Sequence, residues 1–300
     1  MTELSSPTHI PVMTTEIVTV LGPDKGGRFI DCTVGAGGHA RALLEAGADR
    51  VLGLDRDQEV LPVAAATLAP WAERVELAHA DFRDIDVVLD QHHLATIDGA
   101  LADLGMSSIQ LEAEGRGFSF RRDEPLDMRM DRSTGFTAAD MIHDASERTL
   151  ADRIFEYGEE RYARRIARAI VRTRDQEPFR STGQLASLVR RVVPRRRGQR
   201  IDPATRTFQA LRIWVNQELE GLDQFLKTLC RRLRTGARVA VLTFHSLEDR
   251  IVKRTLRELE RGEEIGLKVL TKRPLRPGAE EVSRNPRARS AKLRAAERLA

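Results

Sequence analysis

The stretch from Arg28 to Leu44 constrains this chain more than any other. Arg28-Phe29-Ile30-Asp31-Cys32 is a short apolar run suited to a buried strand, Thr33-Val34-Gly35-Ala36-Gly37-Gly38 follows at once, and a helical pattern through Leu43 and Leu44 comes next. Glycines at 35, 37 and 38 let the backbone reach positive φ and approach a ligand above a helix N-terminus. A strand, a glycine turn and a helix in that order make one unit of a parallel α/β sheet.

The same rhythm repeats downstream. Val51-Leu52-Gly53-Leu54 ends on Asp55, Val75-Glu76-Leu77-Ala78 runs into Asp81-Phe82, and the apolar run from Ile97 carries Asp103 near its end, with the helical stretch Ile85 to Leu89 as a crossover. Strands alternating with helices predict a doubly wound sheet. After Asp103 about a hundred residues pass with helical periodicity only, notably Leu150 to Tyr157, Tyr162 to Val171 and Leu185 to Val193. Ser181 with Gln184 predicts a capping-box start for the last of these. The α/β rhythm then returns with one long amphipathic helix, about Thr207 to Leu233, the strand Arg238 to Leu242, and a helix through Ile251 and Leu256. The middle therefore reads as a helical insertion into one α/β domain.

Composition narrows the setting. Three hundred residues at 41% hydrophobic content bury a sizeable core and exceed the usual size of one domain. The only cysteines, Cys32 and Cys230, lie far apart with no histidine cluster beside them, which predicts a reducing compartment and no structural metal. No apolar run reaches the length of a signal peptide or membrane span, so a cytoplasmic location is expected. The net charge of +4 is unevenly spread, for Arg161 to Arg206 holds fourteen arginines against Asp175, Glu177 and Asp202. Such clustering is the electrostatic footprint expected of a phosphate-backbone binder, with a solvated helix face in a chain of 43 Arg to 6 Lys as its bland alternative, and Pro194-Arg195-Arg196-Arg197-Gly198-Gln199-Arg200 reads as an exposed basic loop within it.

The glycine turn alone leaves two cofactor classes open. Gly35-x-Gly37-x-x-Ala40, with Asp55 about twenty residues on, also satisfies the dinucleotide fingerprint, so a nicotinamide-dependent oxidoreductase is a rival. Asp31 just before the turn suits a cationic methionine moiety and is awkward beside a pyrophosphate. Asp81 and Phe82 past the third strand suit an adenine amino group and ring face, a placement outside the dinucleotide fingerprint. These features favour a methyltransferase using S-adenosylmethionine. Each also has a bland reading, with Asp31 and Asp81 as caps, Gly35 as a plain turn residue and Phe82 as core.

Longer phrases add a family. Asp31-Cys-Thr-Val-Gly-Ala-Gly-Gly-His39, Asp103-Leu-Gly-Met-Ser-Ser108, Leu126-Asp-Met-Arg-Met-Asp131, Phe244-His-Ser-Leu-Glu-Asp-Arg250 and the tail Asn285 to Arg294 resemble the 16S rRNA cytosine-N4 methyltransferase family. The resemblance runs from His9 nearly to the C-terminus. It implies a Rossmann-like class I methyltransferase sheet, residues 1–105 and 207–300, interrupted by an inserted helical substrate-recognition domain, residues 106–206. It further implies methyl transfer from S-adenosylmethionine to N4 of a cytidine of 16S rRNA at the decoding centre of the small ribosomal subunit. The cofactor contacts it implies are Gly37, Gly38, His39, Asp55, Phe82, Asp103 and Gln110, the last of which residue chemistry alone would not single out.

Cytosine N4 is a poor nucleophile because its lone pair is delocalised into the ring, so an acceptor for an N4 hydrogen favours the transition state. Asp103 at the fourth strand's end is the expected acceptor. His245 and Glu248 lie past a strand end, where α/β sites gather, as candidates to orient the base or take its proton, although a helix cap by Ser246 and Asp249 fits equally. Phe118, Phe120 and Phe244 are candidates to stack on the base, since Asp103-Leu-Gly-Met106 lacks the prolines and aromatic of many DNA amino-methyltransferases. A non-enzymatic RNA-binding assembly factor is the second rival, and it leaves the acids at successive strand ends unexplained.

Overall fold

The computed structural model describes residues 10–194, 198, 201–262 and 265–300. The basic segment Arg195-Arg196-Arg197 thus lies outside the described residues. The chain divides into two compact units, one made of the residues up to Ser107 with Glu220–Ala300, the other of Ser108–Leu219.

The first unit is built on one seven-stranded sheet. Its strands are β1 (Arg28–Asp31), β2 (Arg50–Asp55), β3 (Val75–His79), β4 (Ile97–Asp103), β5 (Leu233–Thr243), β6 (Leu267–Val269) and β7 (Lys292–Arg298), in the order β3-β2-β1-β4-β5-β7-β6. The first five pair in parallel, as their alternation with helices predicts, whereas β7 runs antiparallel to both β5 and β6. The sequence reading does not anticipate β6 or β7.

Helices cover both faces. On one lie α1 (Thr14–Leu21), α2 (Gly38–Glu45) and α3 (Leu61–Leu68), whose Ile17, Leu21, Leu43, Leu44 and Leu68 pack onto Phe29, Val51 and Leu101. On the other lie α4 (Ile85–Gln91), α11 (Leu222–Arg232) and α12 (Ser246–Arg261), whose Leu89, Phe225, Leu229, Val252 and Leu256 pack onto Ile30, Leu52, Ala100 and Val239. Strands buried on both faces read as continuous apolar runs, which is why the pattern of β2 and β4 was legible. A short α13 (Ala279–Arg284) precedes β7.

The second unit is helical: α5 (Ser108–Glu112), α6 (Ala138–Asp144), α7 (Glu147–Gly158), α8 (Ala163–Arg174), α9 (Thr182–Val192) and α10 (Thr205–Asn216). Ser181 and Gln184 form the expected capping box of α9. The single long helix expected over Thr207 to Leu233 is two helices, α10 and α11. The chain turns left-handed at Gln217 (φ 50°) and again at Gly221 (φ 69°), which ends one helix and restarts the next. α10 groups with the helical unit, where Phe208 meets Phe120 edge-on at 4.8 Å and Gln209 donates to the carbonyl of Tyr157.

Asn216 anchors that unit's longest irregular stretch. Its side chain accepts from the Met130 amide at 2.7 Å and donates to the carbonyls of Met128 (2.7 Å) and Arg212 (2.9 Å). Met128 is fully buried at φ 65°, a conformation costly for a side-chain-bearing residue, so these bonds hold a backbone that would otherwise relax. Both cysteines are buried free thiols. No helix among the described residues is long and apolar enough to cross a membrane.

Candidate active site

The carboxyl ends of β1, β2 and β4 bring Asp31, Asp55 and Asp103 to one edge of the sheet, where open α/β sheets bind their ligands. The turn after β1 is stitched into this edge. Thr33 accepts from the Asp103 amide through its hydroxyl at 2.7 Å and donates its own amide to Asp31 at 3.2 Å. The amide of Val34 donates to the carbonyl of Leu54, and that of Gly35 to Asp55 Oδ2 at 2.9 Å. Gly35 and Gly37 sit at φ 50° and 82°, and a Cβ on Gly37 would lie 3.1 Å from Leu68, so both positions need glycine. Sequence reasoning missed Thr33, whose hydroxyl bridges two strands that only the fold brings together.

Each acid has its own electrostatic setting. Asp31 is wholly buried, and desolvation pushes its carboxyl up to about 7 against the pull of His39 and the Thr33 amide. Asp103 is likewise pushed up to about 7, first by burial and then by the negative charge of Glu248. Oδ2 of Asp31 and Oδ1 of Asp103 are buried with no hydrogen-bond partner. Asp55 rises to about 6 because burial outweighs the amides of Asp57 and Gly35 that it accepts. His39, in the first turn of α2, is held neutral by burial, with Nε2 2.9 Å from the Val12 carbonyl and Nδ1 3.7 Å from Asp103.

Orphaned carboxylate oxygens are expensive unless something arrives to use them. A cluster of buried acids with two such atoms fits a ligand that carries positive charge and hydroxyl donors, and fits a pyrophosphate poorly.

The remaining expected residues fall differently. Phe82 opens a 3-10 turn after β3 and is half-buried, with Phe225 against it at 4.6 Å between centroids. Asp81 behaves as its bland reading has it, capping that turn through the Arg83 amide and holding the Arg83 guanidinium at 2.9 and 2.7 Å. Burial opposes its charge, but Arg83 and Arg56 outweigh this and leave its carboxyl below the ordinary range. Gln110 is buried on α5 of the helical unit, as is Phe118 in the loop beyond it.

His245 is the N-cap of α12. Its Nδ1 accepts from the Glu248 amide at 3.4 Å, Glu248 accepts in return from the amides of His245 and Phe244, and His245 Nε2 lies 3.0 Å from Glu248 Oε1. The cap is thus made by His245 and Glu248, one residue before the Ser246 and Asp249 pair considered from sequence. Asp249 instead binds Lys292 and Arg294 of β7 at 3.1 and 2.6 Å.

The sheet order separates the two cofactor classes. A dinucleotide fold continues in parallel as 3-2-1-4-5-6, whereas here an antiparallel strand enters between β5 and β6. With the acidic strand ends, this defines a Rossmann-like methyltransferase whose cofactor is S-adenosylmethionine. Residues 6–299 match the MraW methylase family, and the chain belongs to that family. It is 52% identical over 97% of its length to a Cyanothece protein named Ribosomal RNA small subunit methyltransferase H, covering 95% of that protein. A Thermotoga neapolitana protein of the same name is 49% identical, with 96% of this chain and 95% of the relative covered. Among solved structures, an rRNA methylase from Streptococcus thermophilus aligns with a TM-score of 0.41 at 12% identity, over 96% of this chain and 94% of that one.

Proposed function

We propose that the protein transfers the methyl group of S-adenosylmethionine to N4 of a cytidine in 16S rRNA, at the decoding centre of the small ribosomal subunit and in the cytoplasm. The observation that carries the reaction is the buried, unpartnered Oδ1 of Asp103 at the end of β4. The substrate class comes from the family resemblance and from the name carried by relatives at about half identity.

When bound, S-adenosylmethionine supplies an electrophilic methyl on a positively charged sulfur. Asp31 would hold that cation through its orphaned Oδ2, with Asp103 adding negative charge from the end of β4 and keeping its orphaned Oδ1 for the substrate amino group. Asp55, which fixes the Gly35 amide, would offer its remaining lone pairs to the ribose hydroxyls. Gly37, Gly38 and His39 in the first turn of α2, Phe82 for the adenine, and Gln110 would make up the rest of the cofactor set that the resemblance implies.

Asp103 accepts a hydrogen from the cytosine amino group as that nitrogen turns tetrahedral, and takes the proton released when the nitrogen–methyl bond forms. A carboxyl poised at about 7 is well matched to that task near neutral pH. His245 has its Nδ1 in the α12 cap, so Asp103 rather than His245 is the proton acceptor in this reading.

Incubation of 30S subunits lacking the modification with tritiated S-adenosylmethionine, followed by nucleoside chromatography, should place the label in N4-methylcytidine. Label in another nucleoside, or none, would reject the reading. Asp103→Asn should lower turnover by about 10- to 100-fold while sparing most of the cofactor affinity. Equal losses in both would make Asp103 a cofactor ligand only.

A further inference from the structure

Two neighbouring helices of the second unit carry their exposed charges in opposite ways. On α7 the arginines are matched within the helix, the exposed Arg148 to Asp152 at 3.8 Å and the half-buried Arg153 to Glu156 at 3.2 Å and to the Tyr157 hydroxyl at 3.0 Å. α8, which packs against α7, buries Ala163, Ile166, Ala167 and Ile170 and exposes Arg164, Arg165, Arg168 and Arg172. Those four lie within about 100° of the helix circumference and span about 12 Å along its axis. Arg161, stacked on Tyr162 at 4.6 Å, extends the stripe by one turn.

Within the stripe only Arg168 has an acid, the exposed Glu147 at 3.5 Å. Arg164, Arg165 and Arg172 have no ion pair among the described residues. Arg164 and Arg168, and Arg168 and Arg172, are like charges four apart, a spacing that weakens a helix. Arg174 shows the structural alternative, since it turns inward and donates to the carbonyls of Ile142 and Ala145. Among the described residues the exposed four make no such bond, so apart from the Arg168–Glu147 pair the free protein bears their repulsion with no internal return.

We infer that the α8 arginine stripe is a docking surface for the phosphate backbone of the structured RNA that this enzyme modifies. The inference rests on the proposed substrate and adds to it a surface within described residues, distinct from the Arg195-Arg196-Arg197 segment. Guanidinium forks on long stems suit phosphate oxygens and gain affinity through counterion release, which a solvated helix face has no reason to concentrate. An acidic membrane is the weaker partner. A membrane-lying helix exposes an apolar face beside its cations, and that of α8 is buried.

The test compares three variants with wild type: Arg164→Gln/Arg165→Gln/Arg172→Gln, the same three positions changed to Lys, and Arg148→Gln/Arg153→Gln on α7. Binding to unmethylated 30S particles is measured at several salt concentrations, with S-adenosylmethionine affinity and melting temperature as controls. The Gln triple variant should lose affinity about tenfold or more and flatten the log–log salt slope by roughly 2–3. The Lys variant should keep most of both, and the α7 variant should match wild type. Because the Gln changes remove repulsion, melting should be unchanged or slightly higher, and cofactor affinity should hold. An unchanged salt slope in the Gln triple variant would overturn the inference while leaving methyl transfer to 30S intact. So would equal losses in the α7 variant, or a loss of binding to phosphatidylserine vesicles with 30S binding retained. If wild type fails to methylate 30S particles at all, the proposed substrate fails first and this surface with it.

Discussion

The strand-end acids and the α8 arginines are both clusters of one charge sign, and they are built on opposite plans. Asp31, Asp55 and Asp103 are short side chains at rigid strand ends, the first two buried and the third half-buried, with backbone amides or a strand-bridging threonine fixing their surroundings. The arginines stand on flexible stems in water, with little around them to set their positions. A small ligand demands charge at fixed points and repays the desolvation, whereas a polymeric partner rewards the number of cations more than the placement of any one. One removal should therefore be severe in the first cluster and mild in the second.

The sharpest test of that contrast is Asp55→Ala. It removes the proposed ribose acceptor and leaves the buried amides of Gly35 and Asp57 unanswered. Calorimetry should show the S-adenosylmethionine Kd rising about 100-fold, equivalent to about 2.8 kcal/mol. An unchanged affinity would take Asp55 out of the site.

A second substitution asks whether burial, rather than location in one unit or the other, sets the severity. Asn216→Ala lies in the helical unit but removes two buried hydrogen bonds and one part-buried one, and leaves the Met130 amide without a partner. Urea unfolding should show a loss of about 2–4 kcal/mol. A loss below about 0.5 kcal/mol would mean that the irregular stretch around Met128 holds itself.

The acids should also reveal themselves through pH. Asp31 and Asp103 titrate in the folded protein at about 7, above their unfolded values, so the folded state holds the extra protons and stability falls as pH rises through 7. Asp55, raised to about 6, acts in the same sense, whereas His39 is shifted down and acts in the opposite sense only below its ordinary range, one group against three. A cationic ligand favours the ionised acids, so the thermal shift given by S-adenosylmethionine should be larger at pH 8 than at pH 5.5. S-Adenosylhomocysteine, without the sulfonium charge, should show a smaller difference. Scanning fluorimetry across that range decides it, and a shift independent of pH would mean the acids do not face the cation.

The smallest effect belongs to the matched arginines of α7. Arg148→Gln breaks an exposed pair with Asp152 and should move stability by no more than about 0.5 kcal/mol. A larger loss on thermal melting would show that exposed charge in this unit is structurally tighter than its accessibility implies.

What sequence made legible follows the same division between local and long-range causes. β1, β2 and β4 were visible because strands buried on both faces must be apolar throughout, and Asp31, Asp55 and Asp103 because an acid ending such a run is conspicuous. The α9 cap is a purely local pattern and was readable as one. The break between α10 and α11 was hidden because Leu211, Leu219, Leu222 and Leu226 keep helical spacing across it, while the left-handed turn begins at Gln217, a residue with no such signature. β7 was hidden for a different reason. Lys292-Leu-Arg-Ala-Ala-Glu-Arg298 has strong helix formers, and only its pairing from Thr243↔Lys292 to Arg238↔Glu297 makes it a strand. The His245 and Glu248 cap was missed because histidine is a rare N-cap, so the serine beside it drew the assignment.

The place of β7 also bears on how the enzyme is made. β5 and β7 are neighbours in the sheet, yet Thr243 and Lys292 are 49 positions apart in the chain, and among the described residues β6 pairs only with β7. At ordinary translation rates about 2.5–10 s separate the synthesis of the two partners. During that interval β5 offers one bare edge, the kind of surface that recruits stray strands from other nascent chains. Each newborn molecule therefore passes through an unsealed stage whose hazard depends on elongation speed and chaperone cover rather than on the stability of the finished fold.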